Sequence, residues 1–452
     1  MKDQPLLIAT TATTAGSARQ ATVRTARQAA AAVQQAGSAH PAGSAHHADP
    51  AATRRRTLPH QLAYWHAAVV IGLCLFGSVV PSPLYHLYAT LWHFSPVTLT
   101  LIYATYAFGV LAALLLTGRV SDQIGRRPVL LAALGTLMVS WVLFIVASST
   151  AWLFVARGVQ GLATGAALSA ASAALLDLHV RRDPVSVGLA NAVASCAGLG
   201  LGSLTSAVWV QAGIFPRTVP YVMLLVLFAI ALAGAYWMPE PVLSRERFRL
   251  TPQRPSVPAG IRHPFLLAGL AVLGSWGIAG LFFSIGAELS AHLFSTTNVI
   301  VAGLGGILLT LVAALAQLVF HRVVPWLGAS VGSAALAVGM VTIVIATAED
   351  SSVLFVAGAS VAGAGFGVSF LSGLRQLTSV IPAEHRASVM SAFYVVAYAS
   401  LSVPAVIAGL VVTHLGLATT FETFGSLAAL VALAMAAEAW RTRPTRPIRA
   451  AK

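Results

Sequence analysis

The chain has 452 residues, of which 57% are hydrophobic and only 9% charged, a balance that excludes an ordinary soluble domain. Its formal net charge of +14 comes from 27 Lys and Arg set against 13 acids. The two cysteines, Cys74 and Cys196, have the spacing of neither a disulfide framework nor a metal site, and small apolar packing residues are the plain reading of them.

Residues 1–58 form a low-complexity stretch rich in Ala, Ser, Thr and Arg, with Ala-Gly-Ser-Ala recurring from Ala15, Ala36 and Ala42. Such a segment buries too little apolar surface to offset its ordering entropy, so a disordered cytoplasmic tail is expected. It shares Arg and Ser with transit peptides but lacks the apolar core of a secretory signal. The use of 25 Arg against two Lys, with abundant Ala, fits a GC-rich bacterial gene. His40, His46 and His47 read either as metal ligands or as a solvated tail.

Beyond the tail, apolar runs reach or exceed the roughly 20 residues that cross about 30 Å of hydrocarbon. They predict twelve helical spans, near 62–85, 97–117, 128–148, 151–175, 187–211, 219–238, 264–289, 297–320, 326–347, 353–374, 386–412 and 420–440. The fifth and eleventh are expected to prove shorter than their apolar runs. The fold class is therefore an all-α polytopic membrane protein. A charged, Pro-bearing segment at 239–262 divides the spans into sets of six, 59–238 and 263–441, followed by a basic tail at 442–452. A weak echo at an offset of about 200 residues links the glycines of span 4 with Gly363, Gly365 and Gly367 of span 10.

Positive charge sets the orientation. Seven Lys and Arg precede the first span, five follow the last, and Arg217 is the one on the opposite side. Both termini are expected in the cytoplasm, beneath a plasma membrane whose anionic lipids would meet the basic face. This asymmetry accounts for the basic charge without nucleic acid.

Between spans 2 and 3 the chain reads Gly118-Arg-Val-Ser-Asp122-Gln-Ile-Gly125-Arg126-Arg127. A charged loop at a turn would hold the cytoplasmic side, but that explains the arginines and not the acid with two glycines. The spacing resembles the signature loop between helices 2 and 3 of the major facilitator superfamily, with Ser121 where the family has a small alanine. The resemblance implies two pseudo-symmetric six-helix bundles, and a gate of Gly118, Asp122, Gly125, Arg126 and Arg127 that latches them. Asp122 is expected at the N-terminus of span 11, just after Pro382, where a helix dipole favours an acid. Arg126 and Arg127 have Asp177 and Asp183 as further partners.

Span 4 carries Arg157-x-x-Gln160-Gly161-x-x-x-Gly165. An arginine in an apolar helix costs about 2.5–3.5 kcal/mol on insertion scales, so it either faces a cavity or reaches for the outer interface. The pattern resembles a second motif of the same family, which implies a part for Arg157 and Gln160 in proton coupling. Gly161 and Gly165 allow close helix packing, as do Gly198 and Gly202 in span 5. There the family's exporters carry Gly-x-x-x-Gly-Pro-x-x-Gly-Gly; this chain has Ser203 for the proline and Ser206-Ala207 for the last glycines. Glu288 in span 7 is either an interfacial residue or a proton carrier. Tyr85, Asn191, Gln317, Tyr394 and Tyr398 are candidates for the substrate cavity or for helix packing. Pro81-Ser-Pro83-Leu-Tyr85 also resembles a set of bacterial members.

The expected function is proton-coupled export of a small neutral or amphipathic solute by alternating access, by a monomer without cofactor or metal. Uptake of a sugar or other metabolite and a non-transporting sensor are the alternatives. No Gly-x-Ser-x-Gly elbow, phosphate loop or His-Glu-x-x-His sequence suggests an enzyme.

Overall fold

The computed structural model describes residues 57–117, 120–181, 183–242, 256–382 and 385–443. The expected tail up to residue 56, Gly118, the middle of the linker and the last nine residues lie outside the described residues.

Hydrocarbon offers backbone groups no water, so long apolar runs settle as helices. Among the described residues, eleven helices are long and apolar enough to cross a membrane, and the shorter Leu304–Phe320 makes twelve. Span 1 runs His60–Val79 and resumes as Leu84–Trp92; span 2 is Pro96–Thr117. A short helix, Val120–Ile124, leads into span 3, Arg126–Ile145. Spans 4 to 6 are Thr150–Leu178, Pro184–Ala212 and Val219–Trp237. Span 7 begins as Arg262–Leu281, loosens into a π-helical turn at Phe282–Gly286 and ends as Ala287–Leu293. Span 8 is Val299–Ala302 followed by Leu304–Phe320. Spans 9 to 12 are Pro325–Ala348, Ser352–Val380, Arg386–Leu415 and Leu417–Arg441.

Two expectations about helix limits need correction. The first span is not one helix over 62–85, because Pro81 and Pro83 interrupt it. Spans 5 and 11 are longer than their expected ranges, with 29 and 30 residues. Span 5 starts early because Asp183 caps it, accepting from the N–H groups of Val185 and Ser186, with Pro184 at the first helical position.

Each half is internally packed. Span 4 lies against spans 2 and 3, span 1 against spans 4 and 5, and span 6 against span 3. In the second half span 10 lies against spans 8 and 9, span 12 against span 9, and span 7 against spans 10, 11 and 12. Among the described residues the halves meet chiefly at two seams, span 2 on span 11 and span 5 on span 8, with span 5 also touching span 10.

The internal repeat is visible in the glycines. A methyl on Gly161 or Gly165 would strike the backbone of Tyr106 or Val110 in span 2. On Gly363 or Gly367, 202 positions later, it would strike Leu309 or Ala313 in span 8. Gly198 and Gly202 likewise lie against the backbone of Gly72 and Phe76 in span 1, and Gly280 of span 7 lies against Leu401 of span 11. Absent side chains let these backbones approach closely. Glycines on the seams differ: Gly200 abuts side-chain atoms of Leu311 and Thr310, and Gly409 abuts the side chain of Thr100.

Candidate functional site

The break in span 1 creates the central polar site. Pro81 has no N–H to give the carbonyl of Gly77 four residues back, and Pro83 none for Val79. The chain tightens through the break, with Ser82 N–H on the carbonyl of Val79 and Leu84 N–H on that of Pro81. The carbonyls of Gly77, Ser78 and Val80 are thereby released from the helix. Side chains of two neighbouring spans take all three. Gln160 Nε2 donates to Gly77 O at 3.0 Å, Arg157 Nη1 to Ser78 O at 2.8 Å, and Ser206 Oγ to Val80 O at 2.6 Å.

Arg157 is fully buried. Its Nη1 also donates to Gln160 Oε1 at 2.8 Å, and its Nε donates to the hydroxyl of Tyr85. Three aromatic rings surround the guanidinium, with centroids 5.1 Å away for Tyr85, 5.3 Å for Tyr106 and 6.0 Å for Tyr103. Cation–π attraction is strongest in such desolvated settings. The positions 202 residues on from Arg157 and Gln160 are Ala359 and Ala362, both fully buried. Span 10 thus packs like span 4 without a buried charge, so Arg157 is not a requirement of the packing.

From Tyr106 the cluster crosses to the other half. Tyr106 and Tyr398 are buried together, with Trp276 and Tyr394 against them. Trp276 meets Tyr398 edge-on at 5.4 Å and Phe370 at 5.8 Å. Trp276 precedes the π-helical turn of span 7, and Phe282 in that turn stands 202 positions after Val80. The first span of each half is therefore irregular at corresponding places, which in two-fold repeat transporters points to the binding site.

The loop between spans 2 and 3 forms a second cluster. Asp122 lies in the short helix with its carboxylate 55% exposed, and pairs with Arg126 one turn on. Arg126 also reaches Asp177 Oδ2 at 3.1 Å and Ser121 Oγ at 2.8 Å. The carboxylate of Glu240, just past span 6, accepts from the backbone N–H groups of Arg126 and Arg127 at 2.9 and 3.0 Å. It thus satisfies open donors at the start of span 3. Gly125 makes room for this at φ 109°, where any Cβ would meet Glu240 Oε2 at 2.6 Å. Arg127 lies over the ring of Tyr236.

The described ion-pair and hydrogen-bond partners of Asp122 and Arg126 belong to the first half. Among the described residues the carboxylate of Asp122 meets Arg126, which lies one turn away between two acids; residues 383–384, at the expected approach to span 11, lie outside the described residues. Asp183, suggested as a partner for the arginines, instead caps span 5, and its Ser186 hydrogen bond holds its carboxyl below the ordinary value.

Other candidates lie elsewhere. Glu288 is exposed on the last turns of span 7, away from the buried cluster, because some 26 helical residues separate it from the start of the span. Asn191 donates to Ser172 Oγ at 3.0 Å, linking spans 5 and 4. Gln317, fully buried, reaches Cys196 Sγ at 3.6 Å across the seam of spans 5 and 8. Sequence reasoning did not single out Glu240 or the released carbonyls. The signals were present in an acid directly after span 6 and in prolines four residues after Gly77 and Val79.

The Major Facilitator Superfamily model matches residues 67–403. A search of curated protein sequences finds no match. Among solved structures, the human organic anion transporter MFSD10 (TETRAN) is similar, with a TM-score of 0.62 and 18% identity over 84% of this chain and 100% of that one. The family match spans most of the chain and the twelve-helix fold agrees with it: the chain belongs to the major facilitator superfamily of membrane transporters.

Proposed function

We propose that this transporter exports a small organic solute in exchange for protons, by alternating access, from a bacterial cell whose cytoplasm holds both termini. The bodies that move are the six-span halves 59–238 and 263–441, joined by a cytoplasmic segment at 239–262, with tails at 1–58 and 442–452. One observation carries the reading: a fully buried arginine tied to an interruption in span 1, with a second interruption at the corresponding place in span 7. A buried charge in a membrane helix marks a solute or ion path by default.

The aromatic cluster of Tyr106, Tyr398 and Trp276, shared by both halves, supports a solute held between them. MFSD10 is an organic anion transporter, which agrees with a small organic solute here. The cluster of Asp122, Arg126, Asp177 and Glu240 ties spans 2, 3, 4 and 6 so that they shift together. Among the described residues Arg157 is the one charged side chain that is buried, and Glu288 stands apart from it at the exposed end of span 7.

Proteoliposomes with an imposed pH gradient test the proposal. Protons entering from the face opposite the termini should drive a loaded solute out through that face. Solute moving in the same direction as protons would establish uptake, and binding without any flux would establish a sensor of the same fold.

A further inference from the structure

The buried centre holds more donor capacity than the protein itself uses. Arg157 Nε and Nη1 are committed to Tyr85, Ser78 and Gln160, but Nη2 is buried without a protein partner. No carboxylate among the described residues pairs with it, since the described ion pairs belong to Arg126, His263 and His292. A guanidinium removed from water without a counter-charge is costly, and orphaned buried donors are rare in native proteins. Toward the other half, the indole N–H of Trp276 is also buried and unpartnered. Tyr106 and Tyr398 stand between the two.

We infer that this is a binding site for a small organic monoanion with a flat, apolar body. Its carboxylate or sulfonate meets Nη2 of Arg157, its body lies along Tyr106 and Tyr398, and the Trp276 indole serves a weaker acceptor at the far end. The inference rests on the transporter reading above, and it replaces the neutral solute expected from the scarcity of deep charges. One open guanidinium nitrogen, with no second buried cation among the described residues, sets the charge at one. A second negative charge would be buried with nothing to meet it. The rings favour a π-faced body, which they contact in stacked or edge-on fashion. Alanines at the repeat positions of Arg157 and Gln160 leave the site cationic at one end only, which fixes the orientation of the solute.

The test titrates the full chain in lipid nanodiscs with naphthalene-1-sulfonate and with its neutral counterpart naphthalene-1-sulfonamide, against empty nanodiscs, by calorimetry. The sulfonate should bind saturably and about tenfold or more tighter, the scale of one charged hydrogen bond. That preference should collapse in Arg157→Gln and return in part in Arg157→Lys, while Trp276→Phe leaves it in place, since neither probe carries an acceptor at its far end for the indole. Absent or equal binding of the two probes by the unaltered protein overturns the proposal, as does an undiminished preference in a folded Arg157→Gln. If Arg157→Gln does not fold, the comparison of probes on the unaltered protein decides alone. Proton-driven flux of a neutral solute without sulfonate binding would sink the monoanion and spare the transporter. Sulfonate binding without flux of any solute would do the reverse.

Discussion

Gly165→Ala should loosen the contact between spans 2 and 4, whereas Gly158→Ala on the same helix should not. A methyl at 158 would sit 3.8 Å from Cγ2 of Thr105, an ordinary contact. At 165 it would lie 2.7 Å from both Ala113 Cβ and Val110 O, so the helices must part by about 0.7 Å to restore a contact of 3.4 Å. Overpacking of this kind costs about 1–3 kcal/mol. Alanine returns at most about 1 kcal/mol of helix propensity, which is all that Gly158→Ala experiences. At about 2–4 °C per kcal/mol for a body of this size, the two variants should melt about 5 °C apart. Cys74 and Cys196 are buried free thiols, so a thiol-reactive dye reports unfolding during a thermal ramp at fixed scan rate. If Gly165→Ala melts at or above Gly158→Ala, the close approach of these spans has been misjudged.

Three other outcomes are expected. Ser206→Ala should leave Val80 O without its donor, lowering stability by about 1–3 kcal/mol in the same thermal ramp. Glu240→Ala should uncap span 3 at a cost of about 1 kcal/mol, and Gly125→Ala should be worse, since it combines the φ of 109° with a clash on Glu240; melting of the two variants side by side checks the order. The Asp183 carboxyl is held below its ordinary value of 3.8 chiefly by Ser186, so its stabilisation is present above that pH and lost as pH falls through the lowered value. Acid titration of stability should therefore be flatter in Asp183→Asn.

Much of the fold was legible in the sequence because membrane spans obey a length and polarity rule that few other segments satisfy. The twelve runs, the division into sixes and the echo between Gly161 and Gly363 were all readable at that level. The break at Val80–Pro83 was only half legible: its prolines were visible, but released carbonyls find their donors in three dimensions. Gln160 and Ser206 come from other spans and sit 83 and 126 positions from their acceptors. The π-helical turn at Phe282–Gly286 has no proline to announce it. Asp122 illustrates the opposite limit, since its neighbour Arg126 and the partner Asp177 were in plain view but Glu240 had to be brought beside them by folding.

The way glycines are used divides the molecule into stiff and compliant parts. Where Gly161, Gly198 and Gly363 bring main chain onto main chain, no torsion can absorb a relative displacement. At Gly200 and Gly409 the opposing atoms belong to side chains, a leucine end that can change rotamer and threonines held by bonds to the carbonyls of Gly306 and Val97. Displacement between spans 5 and 8 therefore meets a side chain that can yield, whereas displacement inside either set of six meets main chain. Under the alternating access proposed above, that contrast lets each set of six shift as one body.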